Sequence, residues 1–186
     1  MVFFPSMNQA NHLHLLNSIF GHKSFRGSQE KIVLHLCNGG DCLVLMPTSA
    51  GKSLCYQIPA LMRDGVGIII SPLIALMKDQ VDALQSRGVD CTFINSSLSR
   101  TQREARYQGI GEGQYRLLYV TPERFRKPEF LEVMARREVK LLAVDEAHCI
   151  SEWGHDFRPD YTRLNEFRQL LGEPTVLAST ATATPE

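Results

Sequence analysis

One short stretch of the chain has the composition of a phosphate-binding loop. It runs from Met46 to Ser53, reads MPTSAGKS, and follows an apolar run that is typical of a strand. A loop between a strand and a helix can direct backbone N–H groups at phosphates, while a lysine reaches the terminal phosphates and a hydroxyl binds Mg²⁺. The residues assigned to this binding are Thr48, Ser49, Ala50, Gly51, Lys52 and Ser53.

The loop departs from the usual glycine pattern. Met46 stands where a first glycine is common, and Ser49 and Ala50 stand where further glycine is common. Ser49 and Ala50 are small enough to let the backbone approach a phosphate. Taken alone, the stretch also fits an ordinary helix start.

Two carboxylates follow a second apolar run. Leu141–Val144 is apolar throughout and is followed by Asp145-Glu146-Ala147-His148. Carboxylates at the carboxyl end of a strand, beside a phosphate loop, suit a metal ion and an attacking water. Asp145 is therefore assigned to Mg²⁺ together with Ser53, and Glu146 is assigned as the general base. Alone, the segment could be a solvated acidic turn, but both motifs in one domain predict a site for a nucleoside triphosphate.

The elements that position these residues follow from an alternation of apolar runs and helical patterns. The predicted strands are Cys42–Met46, Val66–Ile70, Cys91–Ile94, Arg116–Val120, Leu141–Val144 and Thr175–Ala178. The predicted helices are Ser53–Arg63, Ile74–Ser86, Arg100–Gly111, Glu129–Arg137 and Tyr161–Leu171. Apolar strands that alternate with helices indicate an α/β fold, with a mainly parallel sheet and helices on both faces. Ligands of such sheets bind at the carboxyl ends of the strands.

The composition fits one domain of ordinary size, with 186 residues, 44% hydrophobic and 22% charged. The formal net charge is zero. This argues against binding of nucleic acid through overall positive charge and leaves a local basic groove open. Apolar runs such as Gly65–Ile70 are too short to cross a bilayer, and the N-terminus lacks the layout of a signal peptide. The five cysteines form no CxxC pair and are expected to be buried thiols in a reducing cytosol.

Four segments together resemble a known family. PTSAGKS and DEAH resemble the motifs of superfamily-two helicases, while SPLIALMKDQV (Ser71–Val81) and CISEWGHDFRPDY (Cys149–Tyr161) resemble the RecQ family of DNA helicases. The resemblance runs from about Leu16 to Thr182, with the motifs in the family's order. It implies a first RecA-like lobe of the P-loop NTPase fold over residues 39–186. A helical lead-in with an adenine-reading motif would occupy residues 1–38.

The resemblance also implies an activity. The family's members are 3′-to-5′ DNA helicases that use ATP and Mg²⁺ to move along single-stranded DNA and unwind duplexes in repair and recombination. The implied partners are single-stranded DNA, partly duplex DNA and a second RecA-like lobe, inside the cell at a bacterial nucleoid or in a nucleus. No membrane is implied. The sequence stops at Thr184-Pro185-Glu186 without a closing element, so a longer parent is expected, and this part alone is expected to be inactive.

A second interpretation stays open. The family's more usual loop has glycines at the positions of Ser49 and Ala50, which is compatible with a nucleotide-dependent DNA-binding regulatory module of little turnover. Intact Lys52, Asp145 and Glu146 favour the enzyme. A small-molecule kinase is disfavoured, because the sequence shows no lid or acceptor site.

The segment Phe20–Gln29 resembles the family's adenine-reading motif. An amide can donate to and accept from the edge of adenine at once, so Gln29 is expected to select ATP over GTP. Arg26 is assigned to the phosphates or the loop, and His22 to stacking on the base. Without the resemblance, a helix cap with Phe25 in the core is the alternative.

An aromatic segment follows the carboxylates. Trp153, Phe157 and Arg158 offer rings and a guanidinium, which can stack on unpaired bases for about 1–3 kcal/mol per base. The resemblance implies a loop that senses single-stranded DNA and relays it to hydrolysis, with His148 and His155 as part of the relay. A packed turn is the alternative.

Three further polar segments each follow a strand. Ser71 and Thr121 begin turns whose hydroxyls and amides can hold DNA phosphates, although either residue alone fits a simple helix cap. The resemblance makes both of them DNA-backbone contacts. Ser179 and Thr180 belong to STAT, which resembles the motif that links the nucleotide state to the second lobe; a polar loop is the alternative.

Overall fold

The computed structural model describes residues 11–47, 50–150 and 157–181, which form alternating helices and strands. The strands are β1 Cys42–Leu45, β2 Val66–Ile70, β3 Cys91–Ile94, β4 Leu117–Val120, β5 Val139–Val144 and β6 Thr175–Thr180. The α-helices are α1 Asn11–Ser18, α2 Gln29–Cys37, α3 Lys52–Met62, α4 Ile74–Gln85, α5 Arg100–Gly111, α6 Pro128–Met134 and α7 Leu164–Leu170. Single 3₁₀ turns span Pro122–Arg126, Ala147–Ile150 and Pro159–Arg163.

All neighbouring strands in the described part of the chain are parallel, in the order β1-β6-β5-β2-β4-β3. Val144, at the end of β5, pairs with Ile70 at the end of β2 and with Ala178 in β6. The carboxyl ends of the strands therefore meet at one edge of the sheet. The predicted α/β fold with a parallel sheet is confirmed.

Several predicted boundaries differ from the observed ones, and two of the differences have a clear physical reason. Strand β6 continues to Thr180, two residues beyond the predicted end, because Thr180 pairs with Leu45 of β1. The predicted helix Tyr161–Leu171 is split into a 3₁₀ turn and α7. Pro159 opens that turn, and the Tyr161 hydroxyl donates to the Asp145 carbonyl at 3.0 Å, which fixes the turn against the end of β5.

Helix α3 is packed closely against the centre of the sheet. Every residue of β2 is buried, and Ile68, Ile69 and Ile70 have no exposed surface. A Cβ atom on Gly67 of β2 would lie 2.6 Å from the Ala60 Cβ of α3, so only glycine allows this approach. Tight packing fixes the position of the first residue of α3, which is Lys52. No helix within the described residues is long and apolar enough to cross a membrane.

Candidate active site

The phosphate loop joins β1 to α3 through a left-handed glycine. Gly51 precedes α3 and has a φ of 74°, a conformation that favours glycine. A Cβ atom here would also lie 2.7 Å from the Gln29 side-chain nitrogen. Thr48 and Ser49 lie outside the described residues. Helix α3 begins at Lys52, and the first N–H groups of a helix can bind a phosphate at its N-terminus.

Lys52 has the surroundings of a phosphate-binding lysine. Its side chain is only 6% exposed, and its Nζ atom has no hydrogen-bond partner among the described residues. The nearest charge is Glu146, whose Oε1 atom lies 3.8 Å away, beyond hydrogen-bond distance. A buried ammonium without a hydrogen bond is costly. A bound phosphate would supply the missing acceptors, so the residues present fit the triphosphate that the sequence predicts.

Asp145 stands directly after β5, where a carboxylate can hold a metal ion. Its N–H donates to the Ile70 carbonyl at 2.8 Å, and its Oδ1 atom accepts from the Ser179 hydroxyl at 3.2 Å. Burial raises the pKa of Asp145, the Glu146 charge raises it further, and the Lys52 charge lowers it. A cation beside Asp145 would lower this pKa and so offset the effects of burial and of Glu146. Ser53 is half-buried, and the assignment of Asp145 and Ser53 to Mg²⁺ stays a prediction.

Glu146 is held between a lysine and a histidine. Its φ is 52°, an uncommon left-handed conformation for a residue with a side chain, which marks an imposed geometry. Its Oε2 atom lies 3.3 Å from His148 Nδ1, and the same Nδ1 atom lies 3.0 Å from the Thr180 hydroxyl. His148 was expected to serve the DNA relay. Its contact with Glu146 was not predicted, since sequence spacing does not specify which side chains share a hydrogen bond.

The Gln29 amide bonds to the protein through both its nitrogen and its oxygen. Its side-chain nitrogen donates to the carbonyls of Ala50 and Gly51 at 3.0 and 3.2 Å, and its oxygen accepts from the Arg26 N–H at 2.9 Å. Both N–H groups of the amide are therefore committed to the phosphate loop. A small cavity of about 70 Å³ beside it has His22 and Arg26 among its lining residues, both exposed. The adenine-reading role of Gln29 and the roles of His22 and Arg26 stay predictions.

Gln29→Ala is expected to weaken binding of ATP·Mg and GTP·Mg alike, by about five- to a hundredfold. The variant leaves two loop carbonyls without donors, and such a loss is on the order of 1–3 kcal/mol. Titration of fluorescent ATP and GTP analogues measures the two affinities, with Gln108→Ala on exposed α5 as the matched control. A loss confined to ATP would instead support adenine reading.

The hydroxyls of Ser71 and Thr121 are buried and engaged within the chain. Ser71 Oγ accepts from the Leu73 N–H at 3.4 Å, and Thr121 donates to the Glu123 carboxylate. These contacts are those of turn residues, which was the alternative interpretation. The Ser71 hydroxyl accepts in its contact and keeps its own hydrogen to donate, so the assignment of both hydroxyls to DNA phosphates stays a prediction.

The predicted DNA segment is described in part. Trp153 and His155 lie outside the described residues. Phe157 is half-buried, and Arg158 is exposed, with its N–H donating to the Cys149 carbonyl at 3.0 Å. Arg158 shares a cleft of about 240 Å³ with Glu146, His148 and Pro72. The structure thus brings Arg158 toward the carboxylates, and its contact with DNA stays a prediction.

Ser179 and Thr180 lie at the end of β6, where they contact the carboxylate segment. Ser179 donates to Asp145, and Thr180 contacts His148. Both side chains are buried. Ser179 and Thr180 are therefore the end of a strand rather than part of a loop. They contact Asp145, the predicted metal ligand, and His148, which lies beside Glu146.

Cys149 lines the cleft that holds Glu146, and the other four cysteines are not among its lining residues. No disulfide joins the five cysteines; Cys55, Cys91 and Cys149 are buried, and Cys37 and Cys42 are half-buried. Burial raises the pKa of Cys55 and of Cys91 to about 12, which keeps these thiols protonated and unreactive near neutral pH. Within the described ranges, no group of three or more His, Cys, Asp or Glu residues is placed to hold a metal ion. A magnesium ion bound by one carboxylate, one hydroxyl and phosphates needs no such group.

Comparison with known proteins identifies the family. A family model described as DEAD/DEAH box helicase matches residues 26–186, most of the chain. The chain belongs to the DEAD/DEAH box helicases. It is 48% identical over 171 residues to the ATP-dependent DNA helicase RecQ of Haemophilus influenzae and 49% identical over 174 residues to that of Bacillus subtilis. The resemblance to RecQ helicases is confirmed.

The alignments cover most of this chain but a small share of each relative. Each alignment covers 92% of this helicase chain, but only 28% and 29% of the two relatives. The chain therefore spans less than a third of the length of the curated relatives it matches.

Solved structures of helicases share the fold. The Mycobacterium smegmatis helicase Lhr, bound to ssDNA and AMP-PNP, matches with a TM-score of 0.72 and 20% identity over 89% of this chain and 24% of Lhr. The DUF1998 helicase MrfA, bound to DNA and AMPPNP, matches with a TM-score of 0.70 and 17% identity over 97% of this chain and 27% of MrfA. The RecA-like fold is thereby confirmed.

Proposed function

We propose that this chain is the ATP-binding lobe of a 3′-to-5′ DNA helicase that moves along single-stranded DNA and unwinds duplexes in repair and recombination. The observation that carries the proposal is the meeting of Lys52 and Glu146, 3.8 Å apart, at the carboxyl edge of the sheet. The relatives named ATP-dependent DNA helicase RecQ support DNA as the substrate. The proposed substrate implies a location at the bacterial nucleoid or in the nucleus.

The proposed chemistry depends on the competition for Lys52. Without a phosphate, the Lys52 ammonium lies beside the Glu146 carboxylate and attracts it. A phosphate that draws Lys52 away leaves the Oε1 atom of Glu146 free to accept a proton from water. The contact between Glu146 Oε2 and His148 Nδ1 keeps the carboxylate in its orientation. Bound Mg²⁺, held by Ser53 and Asp145, would supply charge neutralisation to the phosphate oxygens. The base is thus exposed only when the nucleotide is present.

A second lobe is part of the proposal. An arginine that stabilises the transferred phosphoryl group contributes about 10³–10⁵ in rate, and it comes from the second lobe in this interpretation. The chain covers only 28% and 29% of the length of the two RecQ relatives, which supports a longer parent protein. Leu43 and Leu45 on β1 are 73% and 58% exposed, and exposed apolar surface of this kind supports the packing of further polypeptide there.

Residues 1–186 alone are expected to fold and bind ATP·Mg weakly, to hydrolyse it barely, and to unwind no duplex. The weak affinity follows because one wall of the nucleotide site belongs to the second lobe. ATPase and strand-displacement assays on this chain, beside a protein that carries the second lobe, test the expectation. The longer protein should show turnover stimulated by single-stranded DNA and should displace strands from 3′-tailed but not 5′-tailed duplexes.

Each other outcome has a definite meaning. DNA-stimulated turnover by residues 1–186 alone would overturn the two-lobe account. Binding of ATP and DNA by the longer protein without turnover would identify the regulatory module instead. Displacement from 5′-tailed duplexes alone would reverse the proposed direction.

A further inference from the structure

A buried histidine on α1 contacts both ends of residues 25–30. His12 is 7% exposed. Its Nε2 atom lies 2.9 Å from Glu30 Oε1, and an ionised carboxylate only accepts, so the imidazole N–H donates. Its ring stacks on Phe25, with centroids 5.7 Å apart and an angle of 19° between the planes. One side chain therefore bridges the two ends of this short segment.

The bridged segment holds the phosphate loop through Gln29. The Gln29 amide nitrogen donates to the carbonyls of Ala50 and Gly51 at 3.0 and 3.2 Å. Its oxygen accepts from the Arg26 N–H at 2.9 Å, which fixes the orientation of the amide. The conformation of the segment thus determines where the two loop carbonyls are bound.

Burial of its own side chains fixes little of this segment. Gln29 is buried, but Phe25 is only half-buried, and residues 26–28 are exposed. Gly27 has a left-handed backbone with a φ of 52°, and glycine is the residue with the most conformational freedom. An exposed turn of this kind opens locally unless contacts at its ends restrain it. His12 supplies such a contact at each end.

Helix α1 is anchored independently of His12. Leu15 and Leu16, three and four residues further on, are 4% and 0% exposed and belong to the core. Residues at these spacings share a face of a helix, so packing of the leucines also turns His12 toward the protein. His14 is exposed on the same helix. A change of similar size at His12 should therefore leave α1 in place.

We propose that His12 is a positioning residue for nucleotide binding. It restrains residues 25–30 so that Gln29 keeps the phosphate loop in its binding conformation. The inference rests on the proposed function and adds to it a residue that acts through Gln29, without contact with the nucleotide. ATP·Mg and GTP·Mg should be affected alike, because the Gln29 amide bonds to the loop backbone.

His12→Phe is expected to lower the affinity of residues 1–186 for a fluorescent ATP analogue by about three- to tenfold. The variant keeps a ring to stack on Phe25 but cannot donate to Glu30. His12→Gln should bind within about twofold of wild type, because its side-chain amide can donate to the same carboxylate. Glu30→Ala should match the loss of His12→Phe. Because both changes remove one hydrogen bond, the double variant should lose no more than either single variant.

A second measurement needs no nucleotide. The Arg26 N–H is protected by its bond to Gln29 Oε1 although Arg26 itself is exposed. Its amide hydrogen should exchange faster with solvent in His12→Phe and in Glu30→Ala than in wild type. His12→Gln should restore the slow exchange. Hydrogen exchange followed by NMR on the nucleotide-free chain measures these rates.

His14→Phe is the matched control, since it places the same substitution on the exposed side of α1. It should leave both the affinity and the Arg26 exchange rate at wild-type values. Wild-type values in His12→Phe, or equal changes in His14→Phe, would overturn the role of His12. So would a lowered melting temperature in His12→Phe with both readouts unchanged, which would indicate packing alone.

Glu30→Ala decides the matter if His12→Phe does not fold. The Glu30 side chain is 47% exposed, so its removal disturbs the core little while it removes the same hydrogen bond. Wild-type affinity in Glu30→Ala would contradict the inference.

The wild-type chain separates this inference from the proposed function. Failure of wild type to bind the ATP analogue would contradict the proposed function itself. Binding by wild type that His12→Phe and Glu30→Ala fully retain would contradict only the role of His12.

Discussion

Glu146→Gln is expected to leave ATP·Mg binding within a few-fold of wild type and to lower turnover of the two-lobed protein by about 10²–10⁴. The amide keeps the shape of the side chain but cannot accept the proton of the attacking water. Lys52 loses its 3.8 Å neighbour charge in the variant, so the nucleotide has no competitor for the lysine. The result should be a protein that holds ATP without hydrolysing it.

Glu173→Gln is a close control for this change. Glu173 is the other residue with a side chain and a left-handed backbone in the described ranges, with a φ of 58° against 52° for Glu146. It lies in the turn before β6, remote from the phosphate loop. Phosphate release with single-stranded DNA present, beside titration of an ATP analogue, measures both variants. Wild-type turnover in Glu146→Gln would show that another group is the base.

Much of the fold was predictable because parallel strands are buried on both faces. Apolar runs such as Val66–Ile70 mark the strands, and the helical patterns between them require crossovers that make neighbours parallel. The meeting of Lys52 and Glu146 then follows from topology, since carboxyl ends of parallel strands share an edge. The position at which β6 ends could not be predicted in this way. Ser179 and Thr180 are polar, so their pairing with Val44 and Leu45 has no signal in hydrophobicity.

The side-chain contacts of the site were less accessible to sequence reasoning. Gln29 contacts residues 21 and 22 positions away, and His148 contacts Thr180 at a separation of 32 positions. Such contacts depend on rotamers and on the exact packing of α2 and β6, which residue spacing does not specify. Sequence patterns identified Gln29 as a polar residue in a recognisable motif, but not the carbonyls that its amide binds.

A cleft of about 810 Å³ shows a different limit, because its lining includes Arg100, Arg103, Arg124 and Lys127. These cations are spread between residues 100 and 127, and the overall charge of zero conceals them. Only the packing of α5 against the turn after β4 brings them to one cleft. The sequence leaves a local basic groove open but does not specify its members.

Lys52→Met is expected to lower the affinity for ATP·Mg by about ten- to a hundredfold without lowering the melting temperature of the nucleotide-free protein. A charge-assisted hydrogen bond contributes about 1.5–3 kcal/mol, which corresponds to this range. Stability should be retained because the Nζ atom is buried and makes no hydrogen bond with the described residues, so its removal relieves an unfavourable burial. Methionine keeps the length and apolar stem of the side chain.

Lys78→Met on α4 is the matched control, because Lys78 is exposed and pairs only with its helix neighbour Asp82 at 3.0 Å in the described structure. Its affinity for ATP·Mg should equal that of wild type. Titration of a fluorescent ATP analogue and a thermal melt of each variant separate lost binding from lost folding. Weakened binding with an unchanged melting temperature assigns the loss to the phosphate contact. Unchanged affinity in Lys52→Met would instead remove the phosphate-loop assignment, and the nucleotide would have to bind elsewhere. Among the described residues, Lys52 and His148 are the basic side chains within 4 Å of Glu146.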